Sequence, residues 1–266
     1  MTNRLDKILT KSNSILTLYL TSGYPNKKIS NDIAEILFKS NIDILEIGIP
    51  FSDPIADGQT IQNTSYQAIQ AIDEPIIEYT FNTIKNLRQK NEQKPIIIMS
   101  YLNLIYQYGI TNFSKKAKSN GVDALVIPDL PFEESEKIKT ILDNQNIHLI
   151  YMVTPTSSKN TIEKISKNAS GFIYYVSSTG VTGSRENLSE KNFQNIKIIK
   201  NISKIPILIG FGISSKKHVK QIKPWANGVI VASELINRIN SMLKNKEYNK
   251  EKISKLINEF VQELKD

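Results

Sequence analysis

Three carboxylates, Glu46, Asp53 and Asp57, fall in the stretch Leu45 to Gln62, where a hydrophobic strand runs out into two turns punctuated by Pro50, Pro54 and Gly58. With a period of two, Ile44, Glu46 and Gly48 share one face of the strand and Leu45, Ile47 and Ile49 the other, so Glu46 points where an apolar residue would pack. A carboxylate in such a place is costly to ionise, and the same desolvation raises its pKa toward the range useful for general acid and base work. Taken singly, a strand-end Glu is more often paired with a Lys or Arg, and an Asp before Pro or Gly often serves only its own backbone. Together the three favour an active site built on proton transfer.

The elements that must position these groups follow from a recurring pattern. Apolar, β-branched runs occur at 15–21, 42–48, 95–101, 123–128, 147–153, 171–177, 205–210 and 228–232. Polar segments with helical periodicity lie between them, for example Ile29, Ile33, Ile36 and Leu37, then Ile138, Ile141 and Leu142. Near-continuous apolar strands alternating with helices imply a parallel sheet buried on both faces, and eight such units imply a closed barrel. The fold class expected is α/β, a (β/α)8 TIM barrel over one domain, residues 1–266. It carries an additional N-terminal helix within 1–13, an extra helix near 61–72 after strand 2, and a C-terminal helix through Ile253, Leu256, Ile257, Phe260 and Leu264.

In such a barrel the chemistry sits at the C-terminal ends of the strands. Tyr19, Thr21, Glu46, Ser100, Tyr101, Asn103 and Asp129 all fall there. Tyr101 is a candidate substrate contact. The two histidines do not: His148 falls within a strand and His218 on a helix, and both read as structural. Proton transfer is thus left to carboxylates.

The chain has no cysteine, which excludes disulfides, thiolate metal sites and a cysteine nucleophile, and two histidines make an all-histidine metal site improbable. No metal is expected. Nothing resembles a signal peptide or a membrane span, so a soluble protein without a membrane partner is expected. The net charge of +8 raises nucleic acid as a partner, but the lysines are scattered over helices beside many Asn and Ile, which reads as compositional bias and not as a nucleic-acid surface.

The last strands carry a second signal. A long polar loop with Gly180 and Gly183 follows strand six, Gly210-Phe211-Gly212-Ile213-Ser214-Ser215 follows strand seven, and Ala232-Ser233 precedes a helix after strand eight. Gly-Phe-Gly alone is weak, since a turn with Ser helix caps explains it. In consecutive βα loops beside a third Gly-rich loop it points to phosphate, bound by backbone N–H groups at helix starts.

These motifs together closely resemble the tryptophan synthase alpha subunit family over essentially the whole chain, most specifically at Leu45 to Gln62, Gly180 to Gly183 and Gly210 to Ser214. The resemblance implies a lyase of tryptophan biosynthesis: reversible retro-aldol cleavage of indole-3-glycerol phosphate to indole and glyceraldehyde 3-phosphate, with no cofactor in this subunit. It implies Glu46 as acid/base and Asp57 as the carboxylate facing the indole N–H. Tyr19 and Tyr174 line the substrate pocket, Thr182 belongs to a closing loop, and Gly183, Gly212, Ile213 and Ser233 hold the phosphate. It further implies an αββα heterotetramer with a pyridoxal-phosphate beta subunit that receives indole through a tunnel, with Asp53, Pro54 and the loop around Asn103 toward the partner. The compartment implied is a bacterial cytoplasm, or a plastid stroma if the chain is plastid-encoded.

Two positions depart from the family pattern. Gln59 stands where Pro is common, which is expected to loosen the turn after Asp57. Ala232 replaces a frequent Gly at the phosphate corner, where its methyl would crowd a backbone amide, and Glu234 beside it adds a negative charge. The competing readings are a free-standing indole-3-glycerol phosphate lyase and a non-catalytic activator subunit. Joint presence of Glu46, Asp57 and Thr182 disfavours the second.

Overall fold

The computed structural model describes residues 3–11, 14–90, 93–177, 190–210, 212–243 and 248–265. Eight strands form a closed, all-parallel barrel in chain order: β1 (Ile15–Thr21), β2 (Ile44–Gly48), β3 (Ile96–Met99), β4 (Ala124–Val126), β5 (His148–Val153), β6 (Ile173–Val176), β7 (Ile207–Gly210) and β8 (Gly228–Val231). Helix α1 (Arg4–Lys11) precedes the barrel and α2 (Lys27–Lys39) follows β1. After β2 come α3 (Gln59–Ala71) and α4 (Ile76–Lys90), and after β3 come α5 (Leu102–Tyr108) and α6 (Ile110–Asn120). Then α7 (Glu136–Asp143), α8 (Lys159–Asn168), α9 (Glu190–Ile202), α10 (Lys216–Ile222) and α11 (Ser233–Leu243) each follow a strand, and α12 (Lys250–Lys265) closes the chain.

The expected barrel and its additional helices are therefore present. Seven strands are shorter than the apolar runs that announce them, because flanking apolar residues such as Ile42 and Ile205 pack without joining the ladder. Helix α5 is a finding: what reads in sequence as a loop around Asn103 is a helix of about two turns, stopped by Gly109 at φ +83°.

Alternation on the strands sorts two layers. Leu45, Ile47, Ile98, Leu125, Leu149, Ile207 and Ile209 face outward into a large cluster shared with the helices. Ile44, Ile97, Ala124, Val126, Ile150, Leu208 and Ile230 point inward. Leu5, Ile8 and Leu9 join the inner cluster, so α1 plugs the N-terminal end of the barrel with its apolar stripe.

Beneath that plug lies a buried ion cluster. The Asp123 carboxylate, 2% exposed, accepts from Arg4 Nη1 at 2.9 Å, from Arg88 Nη2 at 2.7 Å and from the Ile96 backbone N–H at 2.9 Å. Arg88 Nε donates in addition to the Gly121 carbonyl at 2.8 Å, and Asn3 donates to the Asp123 carbonyl at 2.9 Å. One carboxylate thus ties α1, α4 and the start of β3 together, with its lone pairs satisfied as a buried charge requires.

Candidate active site

At the opposite, C-terminal end, Glu46 is the one charged side chain on the inward face of β2. It is 1% exposed and both carboxylate oxygens are buried without a hydrogen-bond partner. The bland expectation, a neighbouring Lys or Arg, is not met. Burial pushes its pKa up to about 8, and the Asp57 charge adds to the push.

Asp57 sits in the turn after β2, just before α3. Burial raises its carboxyl to about 7, against a downward pull from the Tyr101 hydroxyl, which donates to Oδ2 at 3.2 Å. Tyr101 also accepts from the Ala56 N–H at 3.0 Å and stacks on Phe51, ring centroids 4.9 Å apart. Its ring thereby anchors the β2 loop to the end of β3. Removing the hydroxyl takes away a donor to the anion, so Tyr101→Phe is expected to raise the Asp57 pKa. In a pH profile of kcat/KM the acidic limb then moves to higher pH, and an unmoved limb would show that Tyr101 does not tune this carboxylate.

Tyr19 and Tyr174 flank Glu46 from two sides of the barrel. Burial, followed by the nearby carboxylates, raises both phenols well above their ordinary value, so they stand as neutral hydroxyls beside the acids. Their placement depends on two glycines. Tyr19 pairs in register with Glu46 and leans over Gly48, two residues on, where an added methyl would come within 1.9 Å of the phenol oxygen. Tyr174 pairs with Leu208 and leans in the same sense over Gly210, where an added methyl would meet the ring at 2.6 Å. These slots escape sequence reasoning, which reads Gly48 and Gly210 as strand-end residues with no neighbour assigned to either. A glycine ending a strand beside one that carries an inward tyrosine is the signal.

At the corner where phosphate is expected, Gly212 is exposed with φ +74°, a left-handed conformation that favours glycine, and Ile213 beside it is buried. His218, on α10, has Nδ1 3.3 Å from the Ser214 backbone nitrogen, which makes it a support for this loop. His148 opens β5 with Nε2 2.9 Å from Asp6. Ser233 begins α11. The Ala232 methyl packs beside the cluster of Tyr19, Tyr24, Ile61 and Ile236, so it has an apolar place of its own. The direction of Glu234 is settled: Arg238 Nε donates to it at 2.8 Å, and the same Arg238 pairs with Glu263 of α12 at 2.8 Å, so Glu234 is turned to an ion group shared with α12. Thr182, Gly183 and the rest of the loop 178–189 lie outside the described residues.

The other departure is compensated as well. Helix α3 starts at Gln59 without a proline, Gln59 Nε2 bonds Asn63 at 3.0 Å, and Gln62 Nε2 closes the turn on the Asp57 carbonyl at 2.9 Å. Asp53 is the carboxylate that does not join the site: it is exposed and accepts from Ser52 Oγ at 2.6 Å. Pro54, expected to lie toward the partner, is buried within the chain, and its neighbour Ile55 is the exposed side chain at 83%. Among the described residues no group of three or more His, Cys, Asp or Glu is arranged to hold a metal ion, and no helix is long and apolar enough to cross a membrane.

A closed parallel barrel with two elevated carboxyls at the C-terminal rim and a glycine-rich corner on its last strands defines a barrel enzyme of proton-transfer chemistry. The family model described as tryptophan synthase alpha chain matches residues 5–265. The chain is 39% identical to the tryptophan synthase alpha chain of Carboxydothermus hydrogenoformans, covering 96% of this chain and 94% of that one. It is 37% identical to that of Methanocaldococcus jannaschii, covering 91% and 85%. Its fold matches tryptophan synthase subunit alpha from Legionella pneumophila with a TM-score of 0.87 at 30% identity over 99% of both chains. It matches a chain of the tryptophan synthase a2b2 complex from Pyrococcus furiosus with a TM-score of 0.84 at 32% identity, over 96% and 98%. The chain belongs to the tryptophan synthase alpha chain family.

Proposed function

We infer that this chain, acting as one barrel domain, is the lyase half of tryptophan synthase and cleaves indole-3-glycerol phosphate to indole and glyceraldehyde 3-phosphate. The observation that carries this reading is Glu46, a carboxyl buried without a partner at the end of a barrel strand, with a second elevated carboxyl, Asp57, beside it. The order of the two pKa values suits the chemistry. Between about 7 and 8 the favoured state has Asp57 ionised and Glu46 protonated, the pair titrating as a coupled unit.

Glu46 gives its proton to C3 of the indole, and positive charge growing on the indole nitrogen is held by the Asp57 anion. The carboxylate left on Glu46 then takes the proton of the adjacent glycerol hydroxyl as the carbon–carbon bond breaks, so the aldehyde leaves and Glu46 regains its starting state. Tyr19, Tyr101 and Tyr174 shape the pocket around the ring. Gly212, Ile213, Ala232 and Ser233, with Gly183, receive the phosphate, and Thr182 belongs to the loop that closes over it. The reaction calls for no cofactor in this chain.

The partner is a tryptophan synthase beta subunit carrying pyridoxal phosphate, in an αββα assembly that passes indole across the interface. Ile55, 83% exposed, and Tyr106 on α5, 53% exposed, support this, since they put large apolar groups at the rim beside exposed Asp53 and Asn103. A bacterial cytoplasm or a plastid stroma suits the assembly. The test is indole release from indole-3-glycerol phosphate by the purified chain, alone and with a beta subunit. Release that rises when the partner is added is the expected result. No indole in the presence of a partner shown to bind would overturn the reading.

A further inference from the structure

By number the lysines are scattered, but by net charge they are not. From Lys191 to Ser233 the sequence holds eight lysines and neither Asp nor Glu. Taking those eight from the 34 Lys and Arg of the chain leaves 26, equal to its 26 Asp and Glu, so the whole net charge of +8 belongs to this one segment. The barrel makes the segment a contiguous sector: most of α9, then β7, α10 and β8, with the loops that carry Gly212, Ile213, Ala232 and Ser233.

Lys197, Lys200, Lys204, Lys217, Lys220 and Lys223 are exposed there, and Lys216 is half-buried. Among the described residues none of these seven makes an ion pair; elsewhere Lys27, Lys39, Lys90, Lys116, Lys139 and Lys250 are paired, while Lys85, Lys115, Lys118 and Lys137 are not. Glu234, the first acid after the segment, is already bound by Arg238. Unpaired like charges repel one another and disfavour the compact state. Lys216 and Lys217 stand in the first turn of α10, where a helix disfavours cations. A sector built against local electrostatics in this way suits a role in the field it projects.

We propose that the lysines of this sector form an electrostatic funnel for an anionic substrate, drawing its phosphate group to the β7–β8 corner from a distance. This rests on the reading of that corner as the phosphate end of the site. A phosphate monoester carries nearly two negative charges at neutral pH. Helix α10 spans only about 10 Å, so its lysines lie within about one Debye length of its ends at 0.1 M salt. Fields of this kind raise the capture of charged ligands by about tenfold or more, and salt removes the gain.

The experiment measures kcat and KM for indole release by the assembly with a beta subunit, at salt from about 20 mM to about 500 mM, a range over which screening tightens severalfold. Wild type is compared with K216Q/K217Q/K220Q/K223Q and with K85Q/K115Q/K118Q/K137Q, which removes the same charge from α4, α6 and α7 across the barrel. The expected result is a wild-type kcat/KM that falls about tenfold with salt at constant kcat. The sector variant starts about threefold to tenfold lower and loses most of that slope, while the opposite variant follows wild type. Equal kcat/KM for the sector variant and wild type at low salt would overturn the funnel, as would equal losses in both variants. If indole is made but kcat/KM ignores salt, the funnel alone fails; if no indole is made, the cleavage reading fails and the funnel with it.

Discussion

Replacing Glu46 with Gln is expected to lower indole release by about 10²- to 10⁴-fold, the usual worth of a positioned acid/base. The same change should make the protein more resistant to unfolding at high pH than at low. The linkage is direct. In the unfolded chain this carboxyl ionises near its ordinary 4.5, whereas in the fold burial holds the proton up to about pH 8. Below 4.5 both states are neutral and the titration contributes nothing. As pH rises from 4.5 to 8 the unfolded state gains by ionising and the folded state does not, so stability falls by up to about 1.4 kcal/mol per pH unit and levels off above 8. Gln does not titrate, so any constant cost of burying its amide appears at every pH. Thermal unfolding of both proteins near pH 4.5 and near pH 8 isolates the titration: the difference in Tm, variant minus wild type, should grow with pH. A difference that stays flat would mean that Glu46 ionises freely in the fold, and full activity in the variant would remove it from the chemistry.

The largest effect on stability is expected at the other end of the barrel. Asp123→Ala takes the carboxylate from the buried Arg88 guanidinium and from Arg4, and removes the acceptor of the Ile96 N–H. Breaking a buried pair by removing one partner costs about 3–5 kcal/mol. For a chain of this size that corresponds to a fall in Tm on the order of 10 °C. Asp123→Asn, which keeps an acceptor for the ladder N–H, should lose less. Chemical denaturation of the three proteins decides the matter, and a loss below about 1 kcal/mol for Asp123→Ala would show that Arg88 and Arg4 find adequate partners without it. Because this cluster and the carboxyl pair occupy opposite ends of the strands, the Ala variant should keep its kcat while it remains folded.

Much of this was legible in the sequence. Eight β-branched runs separated by helical periodicity specify a closed parallel barrel, because strands that are apolar on both faces must be covered on both faces. Alternation put Glu46 on the face it shares with Ile44, where an apolar residue would pack, and the burial of both its oxygens bears that out. Gly212 was legible as a glycine of the loop after strand seven, and its positive φ gives the reason for glycine there.

The rest depended on contacts between residues far apart in the chain. Asp53 and Asp57 stand in similar turn contexts, yet Tyr101 from the next strand reaches only Asp57 and leaves Asp53 at the surface. Gly48 and Gly210 look like plain strand ends until a tyrosine from a neighbouring strand is found lying across each. Glu234 carries a charge whose direction no local pattern gives, and Arg238 and Glu263 fix it. Even the net charge changes meaning once folding gathers its lysines into one sector around β7 and β8. Hydrophobic periodicity and turn chemistry are local, so the sequence by itself determined the barrel, a Glu46 set in an apolar strand face, and the family. A carboxyl's pKa, a tyrosine's slot and the direction of a charge are set by neighbours across strands, and those only the tertiary structure decided.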